Sequence, residues 1–226
     1  WTALQGDLEH KSDDASTRER AGDYMALLTP IVKAYLTDKG FLSVSNGLQV
    51  FGGSGYVEEW GMSQFLRDAR ITLIYEGTNG IQALDLVGRK LAMHGMRPIT
   101  TFFAEIDAMV AEGGSDAVKP YLEALAETKA QLKDGTDWLV ENGLKNFDHA
   151  GAASHDYLQL FGLTCLTLMW TLMAKTAAEK SGDAFYANKL ATGQYFLDRW
   201  VPEGAMHLAK MKAGADSMMA LDAEAM

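Results

Sequence analysis

The chain has 226 residues, enough to bury one large core or two smaller ones. Its 30 acidic residues outweigh 20 basic ones for a net charge of −10, which excludes a nucleic-acid binder, because such a protein needs a basic footprint to displace counterions from phosphates. Hydrophobic residues at 48% with only four prolines exclude a disordered chain, and twelve methionines among many Ala and Leu favour helix over sheet.

Residues 1–15 read as a polar, irregular lead-in. From about Ser16 to Lys39 the spacing of Tyr24, Leu27, Leu28, Ile31, Val32 and Tyr35 predicts a helix with a kink at Pro30. Gly40 is the expected stop, with a second helix from about Phe41 to Phe51. Gly52-Gly53-Ser54-Gly55 then predicts a loop. A third helix is expected over Ser63–Arg70 with Ser63 as its N-cap, and Ile71–Tyr75 should be extended or irregular. Thr78 or Asn79 can cap a fourth helix to about Met93, with Ile81, Leu84, Val87 and Leu91 as its apolar stripe.

Gly95-Met96-Arg97-Pro98 is the expected domain boundary, separating 1–96 from 97–226. Beyond it the pattern predicts longer helices at about Thr100–Glu112, Lys119–Asn142, Ala152–Lys180, Asp183–Trp200 and Glu203–Lys212. The uncharged run Tyr157–Ala174 reaches the lower edge of a bilayer span, but Gln159, Thr164, Thr167 and Thr171 interrupt it, and no aromatic belts or cluster of basic residues flank it. It reads as a buried central helix, and no membrane partner is expected. Both halves read as all-α: a helical bundle followed by a second helical extension.

The single Cys165 excludes an internal disulfide and fits a reducing, cytoplasmic setting; inside the apolar run it reads as an inert buried thiol. His149 and His155 would not share a helical face, so no metal site is expected. His94 and His207 read as polar surface residues, and Trp138, Trp170 and Trp200 as core or interface anchors. The start at Trp1 points to a piece of something longer.

On the residues alone, Glu76 is an acidic group near a helix N-terminus, where the dipole favours it. Three segments in order say more. Gln49-Val50-Phe51-Gly52-Gly53-Ser54-Gly55-Tyr56 is followed by Arg67-Asp68-Ala69-Arg70 and then by Ile74-Tyr75-Glu76-Gly77-Thr78-Asn79-Gly80-Ile81-Gln82. Together they resemble the C-terminal helical domain of acyl-CoA dehydrogenases, over about Arg18–Met93.

The resemblance implies an FAD-dependent enzyme acting on acyl-CoA, with Glu76 as the catalytic base and trans-2-enoyl-CoA as product. By motif position it assigns Gln49, Val50, Phe51, Gly52 and Gly53 to the adenosine-diphosphate portion of FAD, in a neighbouring subunit. Thr78 and Asn79 would contact FAD by backbone or side chain. Gly80 stands where the family often has Gln, leaving only a backbone contact. Gly77 makes room for the substrate thioester. The resemblance also implies a homo-oligomer and an electron-transfer flavoprotein as partner. Residues 97–226 resemble the extension of a longer subgroup of the family, which includes bacterial enzymes acting on 3-methylmercaptopropionyl-CoA. The family's N-terminal and middle domains have no counterpart here, so the isolated piece is expected to be inactive. The rival expectation is a non-catalytic helical module whose role is oligomerisation.

Overall fold

The computed structural model describes residues 1–143, 145–180, 182–221 and 224. Helices account for every regular element among them, and no strand occurs among the described residues. The chain divides into two compact units, Trp1–Lys90 and Leu91–Met226. The division falls just ahead of Gly95–Pro98, and Pro98 itself lies in the first turn of a helix, where its missing N–H costs nothing.

The first unit is organised by one long helix. After α1 (Thr2–Lys11), α2 runs from Ala15 to Val50 without a break at either Pro30 or Gly40. Asp14 caps it, its carboxylate accepting from the backbone and hydroxyl groups of Ser16 and Thr17. Those bonds, the Ser16 and Thr17 hydroxyls foremost, hold the Asp14 carboxyl well below the usual range. The expected stop at Gly40 does not occur. Glycine costs a helix interior about 1 kcal/mol, and packing beyond it offsets that: Phe41 lies under the Arg70 guanidinium, 5.9 Å from ring centre, and Gly47 backs onto Met62.

The expected irregular lead-in is also helical. α1 carries few apolar residues, yet Gln5 is buried, Gly6 admits Met25, and Trp1 packs on Tyr24 at 5.2 Å. Ala21, Tyr24, Leu27, Leu28, Ile31, Ala34 and Tyr35 of α2 form the core of this unit with Ala83 and Leu86.

After α2 come the short α3 (Gly53–Tyr56), a 3-10 turn and α4 (Met62–Ile71), which starts from a left-handed Gly61 rather than from a Ser63 cap. Residues 72–75 continue as hydrogen-bonded turns, not as extended chain. α5 (Asn79–Asp85) is capped by Thr78 and passes into a π-turn over Leu86–Lys90. Helix thus continues to Lys90, three residues short of the expected Met93, with its last turn widened.

The second unit comprises α6 (Arg97–Glu112), α7 (Lys119–Trp138), α8 (Phe147–Ala178), α9 (Ala184–Arg199) and α10 (Glu203–Lys212). α8 is the central helix, packed by α7, α9 and α10. It is long and apolar enough to cross a membrane, and 67% of its most apolar window is buried inside this unit. Its polar interruptions are satisfied locally: Thr164, Thr167 and Thr171 donate to the carbonyls of Leu160, Leu163 and Thr167.

Trp170 and Trp200 do serve as core anchors here. Trp170 stacks on Phe196 at 5.8 Å, and Phe196 on Trp200 at 6.3 Å, around Ala124, Leu163 and Val201. Cys165 is partly reached by solvent as a residue, but burial of its sulfur pushes the thiol up to about 12.

Candidate functional site

The three sequence segments lie in the first unit, mounted on α2. At its C-terminal end Phe51 closes the last turn and Gly52 takes φ 60°, ψ −146°, a conformation that only glycine adopts without strain. Gly55 backs so closely onto the Leu48 carbonyl that a side chain there would collide. Outward from this turn the surface is bare. A Cβ added at Gly52 or Gly53 would meet nothing within 4 Å, and Gln49, Val50 and Phe51 are exposed beside them. A flat polar group can therefore approach the backbone of this loop directly.

Arg67 and Arg70 lie one turn apart on α4, and with Ile71 and Ile74 they line an open cavity of about 300 Å³. The chain then turns through Tyr75–Thr78. Glu76 sits at the apex, exposed, at φ 55°. For a residue with a side chain this left-handed backbone costs on the order of 1 kcal/mol or more and persists only where the surroundings impose it. Gly77 follows at φ 82°.

Four features impose this turn. The Asn79 N–H donates to the Leu73 carbonyl at 3.2 Å, closing residues 74–78 into a loop. The Thr78 hydroxyl caps α5 by accepting from the Ile81 N–H. The Gln82 side-chain amide donates to the Glu76 carbonyl at 3.2 Å. Finally, the Asn79 side chain reaches α2: its Oδ1 accepts from Lys33 Nζ at 2.6 Å, and its Nδ2 faces Asp38 Oδ1 at 2.7 Å, Thr37 Oγ1 at 2.9 Å and the Ala34 carbonyl at 3.2 Å.

The structure thus brings Glu76, Gly77, Thr78, Asn79 and Gly80 together in one turn-and-helix start, and Gln49–Gly53 together where α2 turns into α3. An amide has two donors and two lone pairs, so the Asn79 side chain is fully engaged inside the fold. The Asn79 backbone N–H is likewise taken, by the Leu73 carbonyl.

Two family models match the chain. One described as "Acyl-CoA dehydrogenase, C-terminal domain" covers residues 12–118, and one described as "Acetyl-CoA dehydrogenase C-terminal like" covers residues 102–222. The chain belongs to the acyl-CoA dehydrogenase family. It is 35% identical to a 3-methylmercaptopropionyl-CoA dehydrogenase of Ruegeria pomeroyi over 93% of its own length and 37% of that protein's. It is 30% identical to a butyryl-CoA dehydrogenase of Syntrophomonas wolfei over 99% of its length and 38% of that protein's. It therefore spans little more than a third of these relatives.

Among solved structures, an acyl-CoA dehydrogenase from Bacillus anthracis complexed with FAD superposes with a TM-score of 0.73 at 17% identity. That match covers 92% of this chain and 37% of the other. ACDH-11 of Caenorhabditis elegans in complex with C11-CoA superposes with a TM-score of 0.70 at 20% identity, over 87% and 32% of the two chains. These likenesses fix the helical fold of this family member.

Outside this region, one sequence expectation fails clearly. His207 is no surface residue: it is 8% exposed, and its Nδ1 lies 2.7 Å from Asp156 Oδ1, joining α10 to α8. Among the described residues no group of His, Cys, Asp and Glu could hold a metal ion.

Proposed function

We propose that this chain is the C-terminal helical portion of an FAD-dependent acyl-CoA dehydrogenase, with Glu76 as the base that removes the α-proton of a bound acyl-CoA thioester. The observation that carries this reading is the Glu76 turn: an exposed carboxylate at the apex of a strained, four-way-restrained loop, with a side-chain-free Gly77 beside it. Strain of this kind is maintained where a side chain must project to a fixed point.

The Glu76 carboxylate takes the α-proton while the β-hydrogen leaves as hydride and a double bond forms between the two carbons, giving trans-2-enoyl-CoA. FAD, when bound, supplies the hydride acceptor. On this chain the exposed stretch Gln49–Gly53 would take the adenosine-diphosphate portion of the cofactor, and Thr78, Asn79 and Gly80, at the start of α5, would contact it beside Glu76. Gly77 leaves the thioester room to approach. Exclusion of water by the bound acyl chain sharpens the carboxylate as a base.

The reading carries further proposals with it: electron-transfer flavoprotein as the acceptor of electrons, a homo-oligomeric assembly and a cytoplasmic location. Support for assembly comes from exposed apolar side chains along the first unit, including Val50, Phe51, Tyr56, Trp60 and Phe65.

The test is Glu76→Gln in the full-length enzyme. The amide keeps shape but not proton affinity, so FAD should be retained while turnover falls by roughly 10²–10⁴-fold or more. Near-normal turnover would place the base elsewhere.

A further inference from the structure

Two side-chain amides hold the Glu76 turn from within the chain. Asn79 ties the turn to α2 through Lys33, Ala34, Thr37 and Asp38, which share one face of that helix. Gln82, one turn along α5, holds the Glu76 carbonyl itself. The Gln82 amide also lies 3.1 Å from where a Cβ on Gly77 would sit, so the turn and the clamp are fitted to each other.

We propose that Asn79 and Gln82 are positioning residues that set the Glu76 carboxylate, Asn79 by fixing the turn to α2 and Gln82 by holding its left-handed backbone. This rests on the reading of Glu76 as the base. A free turn would relax from φ 55° toward ordinary backbone, and the carboxylate would swing away from its line of approach. Misplacement by about 1 Å can cost on the order of 10²-fold in rate. The Asn79 amide is occupied within the fold, and the Gln82 amide is assigned no contact with substrate or cofactor.

The experiment uses full-length enzyme carrying Asn79→Ala, and separately Gln82→Glu, which keeps size but loses the donated hydrogen. Three quantities are read: hydrogen exchange of the peptide spanning 73–80, the FAD-to-protein ratio, and kcat against KM for an acyl-CoA. Faster exchange, an unchanged FAD ratio, a KM within about twofold and a kcat lowered about 10–100-fold are the expected result.

Loss of FAD with full activity per remaining flavin would make Asn79 a cofactor contact and overturn the proposal. So would faster exchange with an unchanged kcat while Glu76→Gln is inactive, or no change in exchange in either variant. If Asn79→Ala fails to fold, Gln82→Glu, which leaves the α2 network intact, decides by the same readouts. Should Glu76→Gln retain turnover, the reading of the base fails, and the exchange measurement alone still decides whether the amides hold the turn.

Discussion

The Tyr121 hydroxyl of α7 donates to the Leu190 carbonyl of α9 at 2.8 Å, and its ring occupies the space where a side chain at Gly193 would begin. The two helices meet here backbone to aromatic edge, and the contact exists only because residue 193 is a glycine. Burial at the same spot pushes the Tyr121 hydroxyl above its ordinary titration range.

Gly193→Ala should therefore destabilise the second unit by about 1–3 kcal/mol through overpacking. Urea denaturation of the 226-residue chain, followed by near-UV absorption of the Trp170 and Trp200 environment, reads it. An unchanged midpoint would mean that α9 slides aside freely.

The Asp156–His207 pair makes docking of α10 sensitive to acid. Burial pushes the Asp156 carboxyl up, but the His207 hydrogen bond and the charges of Lys210, His207 and His155 outweigh it, so it titrates below the usual carboxylate range. A carboxyl depressed in the folded state contributes stability above its unfolded value, about 3.9, and loses it as pH falls through the folded value. Acid should thus loosen α10 below about pH 4. Asp156→Asn should cost about 2–3 kcal/mol at neutral pH and flatten the acid limb of a stability profile. An acid limb as steep as the native one would assign it to other carboxylates.

Gly40 is exposed within α2 and has nothing within 4 Å of where a Cβ would stand. Gly40→Ala should raise stability by roughly 0.5–1 kcal/mol, because it removes unfolded-state freedom from a residue already helical. Thermal unfolding measures this, and a lowered midpoint would contradict the continuity of α2.

Gly53→Val separates folding from cofactor retention. A Cβ at residue 53 meets no atom of this chain within 4 Å, so the fold should tolerate the branched side chain, while a ligand laid on the loop should not. The expected outcome in the full-length enzyme is an unchanged melting profile of the apoprotein with a lowered flavin-to-protein ratio after gel filtration. An unchanged ratio would remove the Gln49–Gly53 loop from the proposed cofactor site.

Much of this was readable from residue order. Composition gave the helical class, and Pro202 marked the start of Glu203–Lys212, which the structure reproduces at both ends. Thr78 was readable as a cap because capping is local. What escaped depends on partners remote in sequence. Helix α1 has too little apolar surface to announce itself and is helical because α2 receives it. His207 looked like a surface residue because Asp156, its partner, lies 51 positions away. Asn79 looked available to a ligand because Lys33, Thr37 and Asp38, which occupy its amide, lie more than 40 positions before it.

The unbroken course of α2 has one more consequence. The Asn79 anchor grips it at Ala34–Asp38, and the glycine loop leaves it after Val50. A helix advances about 1.5 Å and turns about 100° per residue, so the twelve residues from Asp38 to Val50 act as a ruler of about 18 Å between the turn bearing Glu76 and the loop at Gly52. Substitutions that keep the stretch helical leave the ruler intact, whereas inserting or deleting one residue would rotate one segment by more than a quarter turn against the other. Length, more than side-chain identity, sets the spacing that α2 imposes between Asp38 and Val50.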